Sequence, residues 1–477
     1  MESKEIERKY LLPPCNPKKL LKSLHIPYKK SKIVQFYTQD HKRYRQKDNS
    51  FYKTIKKGEG VERVEIENII SQKEFAKAFI YAQGAIIHKI RYFATIDGQV
   101  YEFDWFEGEL KGLAFVEIEF SNLEEAIEFS PPPQISRIIL DEVTEDPNFT
   151  NAVIALHGIP LKQIELLQLL ADAQKAVQGK PQAKIELVFH PYYDVLYLLK
   201  ASIYALLHVV LHNKEAILAG DKDSERLHQL RVAMRKMRSY LSLFSHIHPI
   251  PKDLEKKLSS LMKQTNRARD IDIALLWIEE FKKKLPEKLK SNLDAIQESL
   301  KEQKQSIEEQ LKEFLQTKEF EEAITQLKKF CHKDEIAHFP AIIAAKKIIN
   351  KQLKKLKKMS NKLSKKSDPK DFHKVRIEAK KLRYLLELFS SLLEPESFTK
   401  ALDLTKELQT ILGEHQDFEV QIEYLRKLQQ TQENEAILFL IQFLEKKAKK
   451  RRKTFLKKRK KLKVLRKNFQ CALCRFC

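Results

Sequence analysis

Charged side chains recur at every second position through the first part of the chain. Glu5, Glu7 and Lys9 form one such set, and Arg43 with Arg45 another. Thr54 with Lys56, then Arg63, Glu65 and Glu67, then Lys89 with Arg91 follow the same spacing. Glu102 with Asp104, and Glu117 with Glu119, complete the series. A period of two puts each set on one face of a strand. For a single strand the ordinary reading is the solvated side of a two-faced sheet. Here the pattern repeats on strand after strand, often with one sign per strand, and rows of like charge repel unless an opposite row or a ligand faces them. The alternative is a closed barrel whose charged face points inward. Such an interior suits a complex of divalent metal and polyphosphate. Carboxylates bind Mg²⁺ or Mn²⁺, Arg and Lys bind phosphate oxygens, and together they stabilise the charge that develops as a phosphoanhydride bond breaks.

A second constellation lies on predicted helices. HQLRVAMRKMRSYLSLF begins at His228 and HKVRIEAKKLRYLLELF at His373, an internal repeat 145 residues apart. RDIDIALL at 269–276 and QDFEVQIE at 416–423 align downstream. At ~100° per residue His228, Arg231, Arg235 and Arg238 share one face. His373, Arg376, Lys380 and Arg383 do the same, with the apolar residues opposite. Solvated basic faces are common. These two repeat with their histidines in register and hold no acid, and such a stripe is relieved by a bound polyanion, with affinity that falls as salt rises. The histidines have no carboxylate or nucleophile at fixed spacing, so they read as donors to phosphate.

The elements that must carry these residues differ in kind. Residues 1–160 hold 23 Lys and Arg against 24 Asp and Glu, whereas residues 161–477 hold 66 against 41, so the whole net charge of +24 comes from the second part. Seven of the ten glycines precede residue 161. The first part therefore reads as strands and turns, and the second as basic helices that imply a polyanionic partner. Five cysteines are too few and odd in number for a disulfide framework, so a reducing compartment is expected. The N-terminal MESKEIERKY lacks an apolar signal region, and the most apolar stretch, Val195–Leu211, contains Lys200 and His208, so neither export nor a membrane span is expected.

EIERKYLL at 5–12, RYR at 43–45, TIK at 54–56, RVEIE at 63–67, KIRY at 89–92, YEFDWFEGELKGL at 101–113, FVEIEF at 115–120 and DEVTED at 141–146 closely resemble, in order, the CYTH or triphosphate tunnel metalloenzyme family. The resemblance implies an eight-stranded antiparallel tunnel barrel, an α+β domain, that acts on a triphosphate with Mg²⁺ or Mn²⁺. It implies that Glu5, Glu7, Glu117 and Glu119 ligate metal, that Lys9, Arg43, Arg45, Lys56, Arg63, Lys89 and Arg91 bind substrate, and that Glu5, Glu7, Lys9 and Lys56 serve catalysis. Glu142 matches an end-of-domain position, and SRIIL stands before it where an aromatic is expected. The histidine-led repeat resembles the conserved-histidine α-helical (CHAD) domain, which implies two pseudo-symmetric helical bundles and a basic groove for inorganic polyphosphate. By that resemblance the groove is lined by His228, Arg231, Arg235, Arg238, His373, Arg376, Lys380 and Arg383. Gln416, standing where the first copy has Arg269, departs from the repeat.

The expected organisation is a tunnel domain at 1–160, a linker helix at 161–186, an all-α domain at 187–465 and a tail at 466–477. The expected activity is metal-dependent hydrolysis of inorganic triphosphate, coupled to polyphosphate binding, in the cytoplasm or on polyphosphate granules. Two alternatives stay open: a polyphosphate-binding protein without catalysis, or a tunnel enzyme acting on thiamine triphosphate or a nucleoside triphosphate, adenylate cyclase included. Nucleic acid is the less favoured partner, because the basic faces lack stacking aromatics. The tail CALCRFC reads as oxidisable rather than metal-binding.

Overall fold

The computed structural model describes residues 2–13, 17–57, 62–283, 285, 287–290, 293–393, 395–431 and 435–462. Eight antiparallel strands come first: β1 (Glu2–Leu11), β2 (Lys29–Thr38), β3 (Arg43–Lys47), β4 (Ser50–Lys57), β5 (Glu62–Ile70), β6 (Ala82–Ile96), β7 (Gln99–Phe106) and β8 (Ala114–Glu119). They pair in the order β5-β4-β3-β2-β6-β7-β8-β1, and β1 returns to β5, which closes the barrel. A two-residue strand, β9 (Asp141–Glu142), adds to β1 beyond the point where β5 leaves it.

The register runs the charged positions round one face. Glu5 opposes Arg63, Lys56 opposes Glu65, Thr54 opposes both Glu67 and Arg43, and Arg45 opposes Gln35. Arg91 opposes Asp104, Glu102 opposes Glu117, and Lys9 and Glu7 oppose Glu117 and Glu119. The other face of β1 and β6–β8 is apolar. Tyr10, Leu12, Tyr92, Tyr101, Phe103, Val116 and Ile118 pack beneath α1 (Pro17–Ser23) and α4 (Pro133–Ser136), between which lie α2 (Gln72–Phe79) and α3 (Leu123–Glu128). With that face covered, the charged face is the interior. Towards one end the interior turns apolar: Leu11, Ile87, Phe106 and Phe115 join Phe149, in a short turn, and Ile154 of the following α5 (Asn151–His157).

The rest is helical: α6 (Leu166–Val177), α7 (Val195–Leu218), α8 (Ser224–Phe244), α9 (Lys252–Gln264), α10 (Asn266–Lys282), α11 (Glu287–Lys290), α12 (Asp294–Leu315), α13 (Lys318–His332), α14 (Ala341–Lys362), α15 (Pro369–Leu388), α16 (Pro395–Thr431) and α17 (Glu435–Lys458). The expected linker helix is part of this body: α6 buries Leu166, Leu169, Leu170, Ala173 and Val177 and packs on α7. By length and composition α7 could cross a membrane, contrary to the sequence reading. Here 78% of its apolar window is buried inside the bundle, and Lys200 donates to the Lys333 carbonyl.

The repeat is visible in space. α7 and α14 pack together, as do α8 and α15. Phe244 stacks on Phe389, its own counterpart 145 residues on, with ring centroids 6.1 Å apart and planes at 18°. Only residues beside a two-fold axis can meet their own equivalents in this way. α15 starts where the sequence places it, with Pro369 in its first turn and Asp368 accepting from Lys370 N–H at 2.7 Å. Barrel and bundle share one apolar core. Buried Tyr192 donates to the Gly112 carbonyl at 3.4 Å, and Lys162 pairs with Asp141 at 2.6 Å.

Candidate functional site

Inside the barrel the acids and bases meet as a network. Arg91 grips Asp104 with Nε at 2.7 Å from Oδ1 and Nη2 at 2.6 Å from Oδ2, and Nη2 also reaches Glu117 Oε2 at 2.5 Å. Arg91 Nη1 bonds Glu102. Lys9 Nζ lies 3.0 Å from Glu117 Oε1 and 4.2 Å from the centre of the Phe115 ring. Arg43 meets Glu65 at 2.5 Å, and Arg45 meets Glu67 at 2.6 Å. Thr54 Oγ1 donates to Glu67 Oε2 at 2.9 Å.

The charge states follow from these contacts. Burial opposes ionisation of Glu117, but Lys9 and Arg91 overcome it and hold its pKa well below the usual carboxylate range. Burial likewise opposes the Arg91 charge, and Asp104 and Glu117 reverse the effect, so its pKa is raised. Lys89 is the deepest cation, with its side chain 2% exposed and Nζ 2.5 Å from Asp104 Oδ2. Burial brings its pKa down to about 8. It braces Asp104 beneath Arg91.

Arg43 Nε and Arg45 Nε are buried with no hydrogen-bond partner among the described residues. Burial is the first cause that lowers the Arg45 pKa, and the charge of Arg43 is the second. A guanidinium held in this way gains from a polyanion.

The strand positions of Lys56 and Arg63 fall on the inner face, opposite Glu65 and Glu5. Their side chains lie outside the described residues. Glu119 is exposed near the end of β8, and Glu142 lies on the outer side of β1, where both its oxygens take Arg8. Among the described residues no group of three or more His, Cys, Asp or Glu is placed to hold a metal by itself. Glu7 opposite Glu119 still supplies hard carboxylate oxygens. That fits Mg²⁺ or Mn²⁺, which take one or two carboxylates and complete their shells with phosphate oxygens and water.

Sequence reasoning passed over two polar residues of the interior. Gln35, 1% exposed, and Tyr37 oppose Arg45 and Arg43 in the register. Gln35 Nε2 donates to Tyr37 Oη at 3.3 Å, and burial pushes the Tyr37 pKa up to about 12. Alternation along IVQFYT carries the signal, but neither residue is charged. Thr144 was also passed over. It accepts the Lys9 backbone N–H at 3.0 Å and donates to Glu142 Oε1 at 2.8 Å, which anchors β1 where β5 has departed.

In the bundle α8 and α15 bring Arg235, Arg238, His373, Arg376 and Lys380 around one cleft of ≈ 320 Å³. Burial first, then Arg376 and Arg235, lower the Lys380 pKa to about 7. Arg376 Nε is buried without a partner among the described residues. His373 Nδ1 meets Gln416 Oε1 at 2.8 Å, so the departing residue of the repeat orients the histidine. Burial lowers the pKa of both His373 and His228, and Arg269 is the next influence on His228.

Three members of the predicted stripe, His228, Arg231 and Arg383, are not among the residues that line this cleft. Arg231 is buried and serves the α9–α10 junction, where it bonds the Met262 carbonyl at 2.9 Å, Asn266 Oδ1 at 2.7 Å and Thr265 Oγ1. Arg383 pairs with Glu387 at 3.0 Å and donates to Gln409 Oε1 at 3.0 Å. Of the cysteines, Cys331 is buried and burial pushes its pKa up to about 12, which leaves an inert thiol. Cys471, Cys474 and Cys477 lie outside the described residues.

A closed antiparallel barrel lined by alternating acids and bases, followed by a two-fold helical bundle, defines a triphosphate-tunnel domain joined to a CHAD domain. The comparisons agree. The CHAD domain model matches residues 201–426. An inorganic triphosphatase of Nitrosomonas europaea is 32% identical over 153 residues, which are 32% of this chain and 97% of that protein. One from Acetivibrio thermocellus is 34% identical over 152 residues, 31% of this chain and 91% of the relative. The CHAD domain crystal structure from the plant Ricinus communis covers 58% of this chain and 95% of its own, with TM-score 0.48 and 22% identity. The chain belongs to the CYTH family of triphosphate-tunnel enzymes, in its triphosphatase class, and carries a CHAD domain.

Proposed function

We propose that the tunnel hydrolyses inorganic triphosphate with Mg²⁺ or Mn²⁺ and that the basic cleft binds inorganic polyphosphate. The observation that carries the tunnel reading is the pair of buried guanidinium Nε atoms of Arg43 and Arg45 without a partner among the described residues. Arg43, Arg45, Lys9 and Arg91 bind the phosphate oxygens, with Lys56 and Arg63 beside them by strand position. Glu5, Glu7, Glu117 and Glu119 supply the carboxylates for a divalent cation, which when bound polarises a phosphoryl oxygen. Glu117 stays ionised between Lys9 and Arg91, so both cations are already fixed in place before substrate enters. That preorganisation spares reorganisation when charge develops on the leaving phosphate. Lys89 and Asp104 position Arg91.

The cleft reading rests on Arg235, Arg238, Arg376, Lys380 and Lys381 gathered around a lining with one acid, Glu255, and on the buried Arg376 Nε without a partner among the described residues. A linear polyanion balances this positive charge. The setting consistent with these ligands is the cytoplasm, including the surface of polyphosphate granules. The test is phosphate release from tripolyphosphate by the full chain with each metal, beside Glu5→Gln and Glu117→Gln. Release that depends on metal and is lost in both variants supports the tunnel reading. No release with either metal sinks it and turns attention to an organic triphosphate or to a binding-only role.

A further inference from the structure

The largest charged surface that the cleft does not absorb is the solvent side of α14. This helix carries eight lysines and no Asp or Glu in 22 residues. Lys347, Lys351, Lys354, Lys358 and Lys362 are exposed and spaced three or four apart, so they form one stripe ~22 Å long. None of the five is ion-paired to an acid among the described residues. α7, the counterpart of α14 in the repeat, is packed against α6 and α13 and is largely apolar, with its charged residues few. A bare helix needs polar residues there, but a merely solvated face mixes both signs. Like charges at this spacing repel along the helix.

Lys355, next to Lys354 of the stripe, ties α14 to the rim of the cleft. Glu378 Oε1 takes Lys355 Nζ of α14 at 3.0 Å and Lys381 Nζ of α15 at 3.8 Å, and Lys381 lines the cleft. At the other end Arg459 donates to the Leu363 carbonyl at 2.7 Å, which brings the basic end of α17 against α14. The exposed residues are lysines, mobile point charges that do not demand a fixed bidentate geometry.

We propose that the α14 stripe is a second polyanion-binding segment that takes the part of a long polyphosphate chain emerging from the cleft. This rests on the reading of the cleft as a polyphosphate site. Once a chain is held in the cleft, its contact with the stripe is intramolecular and adds affinity without a second encounter. Affinity therefore rises with chain length beyond what the cleft accommodates.

The experiment compares the full-length protein with a Lys351→Gln, Lys354→Gln, Lys358→Gln, Lys362→Gln variant. Probes are a short polyphosphate that fits the cleft and a chain about ten times longer. The variant is expected to lose about 10-fold or more in affinity for the long chain, and its salt slope to fall by about one per lysine removed. Its affinity for the short chain is unchanged. Equal loss for both lengths, or no loss for either, overturns the proposal. A loss confined to duplex DNA also overturns it and assigns the surface to nucleic acid. An Arg376→Gln, Lys380→Gln variant must weaken both lengths; if it weakens neither, the cleft reading fails whatever the stripe does. Circular dichroism and the thermal midpoint confirm that the surface variant is folded.

Discussion

Arg91 and Asp104 stand directly opposite one another on β6 and β7 and share two hydrogen bonds in a side-on grip. Asp104 is 0% exposed and also takes Lys89, so one buried carboxylate holds two cations. The pair orients the guanidinium whose Nη2 reaches Glu117. Removing one partner of such a pair leaves an uncompensated buried charge, which costs about 3–5 kcal/mol. Asp104→Ala is expected to lower the urea midpoint accordingly, because Lys89 loses its paired carboxylate and Arg91 keeps only Glu102 and Glu117. An unchanged midpoint would mean that water reaches this part of the interior.

Thr144 holds β1 from outside the tunnel. Thr144→Val removes the acceptor of the Lys9 N–H and leaves that group buried, at about 1–3 kcal/mol. Thr144→Ser keeps the oxygen and should behave nearly as the parent. Triphosphatase assays should show a fall in kcat/KM for valine and its restoration by serine, because Lys9 moves relative to Glu117. Equal activity in both variants would reduce Thr144 to a stability role.

Lys380, with a pKa of about 7, should make polyphosphate binding sensitive to pH. Burial first, then Arg376 and Arg235, and Arg383 less strongly, push its proton off, and Asp417 opposes them. A bound polyanion favours the charged form, so binding takes up a proton, and affinity should decline as pH rises from about 6.5 to 8.5. The neutral His228 and His373 add to the same trend. Lys380→Arg keeps its charge throughout and should flatten the profile, as titration calorimetry across pH can measure. A parent whose affinity does not vary with pH would contradict this account.

Gly84 is where the barrel meets α5. Its φ is +69°, and a Cβ placed there would lie 2.3 Å from the Ala155 carbonyl oxygen. Gly84→Ala should therefore destabilise by more than about 2 kcal/mol. Gly98, at φ +84° with nothing within 4 Å, should cost only about 1 kcal/mol on the same substitution. Thermal midpoints of the two variants give the comparison directly.

The ring of tunnel charges was legible because strand periodicity is exact in its consequences. Once Glu5 faces inward, Glu7 and Lys9 must follow, and cross-strand register carries the rule from strand to strand. Depth was not legible. Lys89 and Arg91 look alike in sequence, yet one is locked beneath Asp104 while the other reaches across to β8. The helical stripe showed the opposite failing. Spacing grouped Arg231 with Arg235, but helix faces are broad, and the break between α9 and α10 at Thr265 draws Arg231 away to satisfy chain ends that no local pattern announces. Apolar α7 misled in another way: Lys200 seemed to interrupt it, yet its ammonium finds the carbonyls of Lys333 and Glu335 just past α13, so this lysine stays buried within the bundle.

The stacking of Phe244 on Phe389 fixes where the two halves of the bundle exchange places. A cradle built about such an axis has no head or tail. A molecule threaded across it meets nearly the same sequence of partners from either direction, and inorganic polyphosphate, whose two ends are chemically identical, is itself without polarity. A strand of nucleic acid, with distinct ends, cannot match that symmetry. Small breaks in equivalence, arginine at 269 against glutamine at 416 and arginine at 235 against lysine at 380, then distinguish entering by one door from entering by the other.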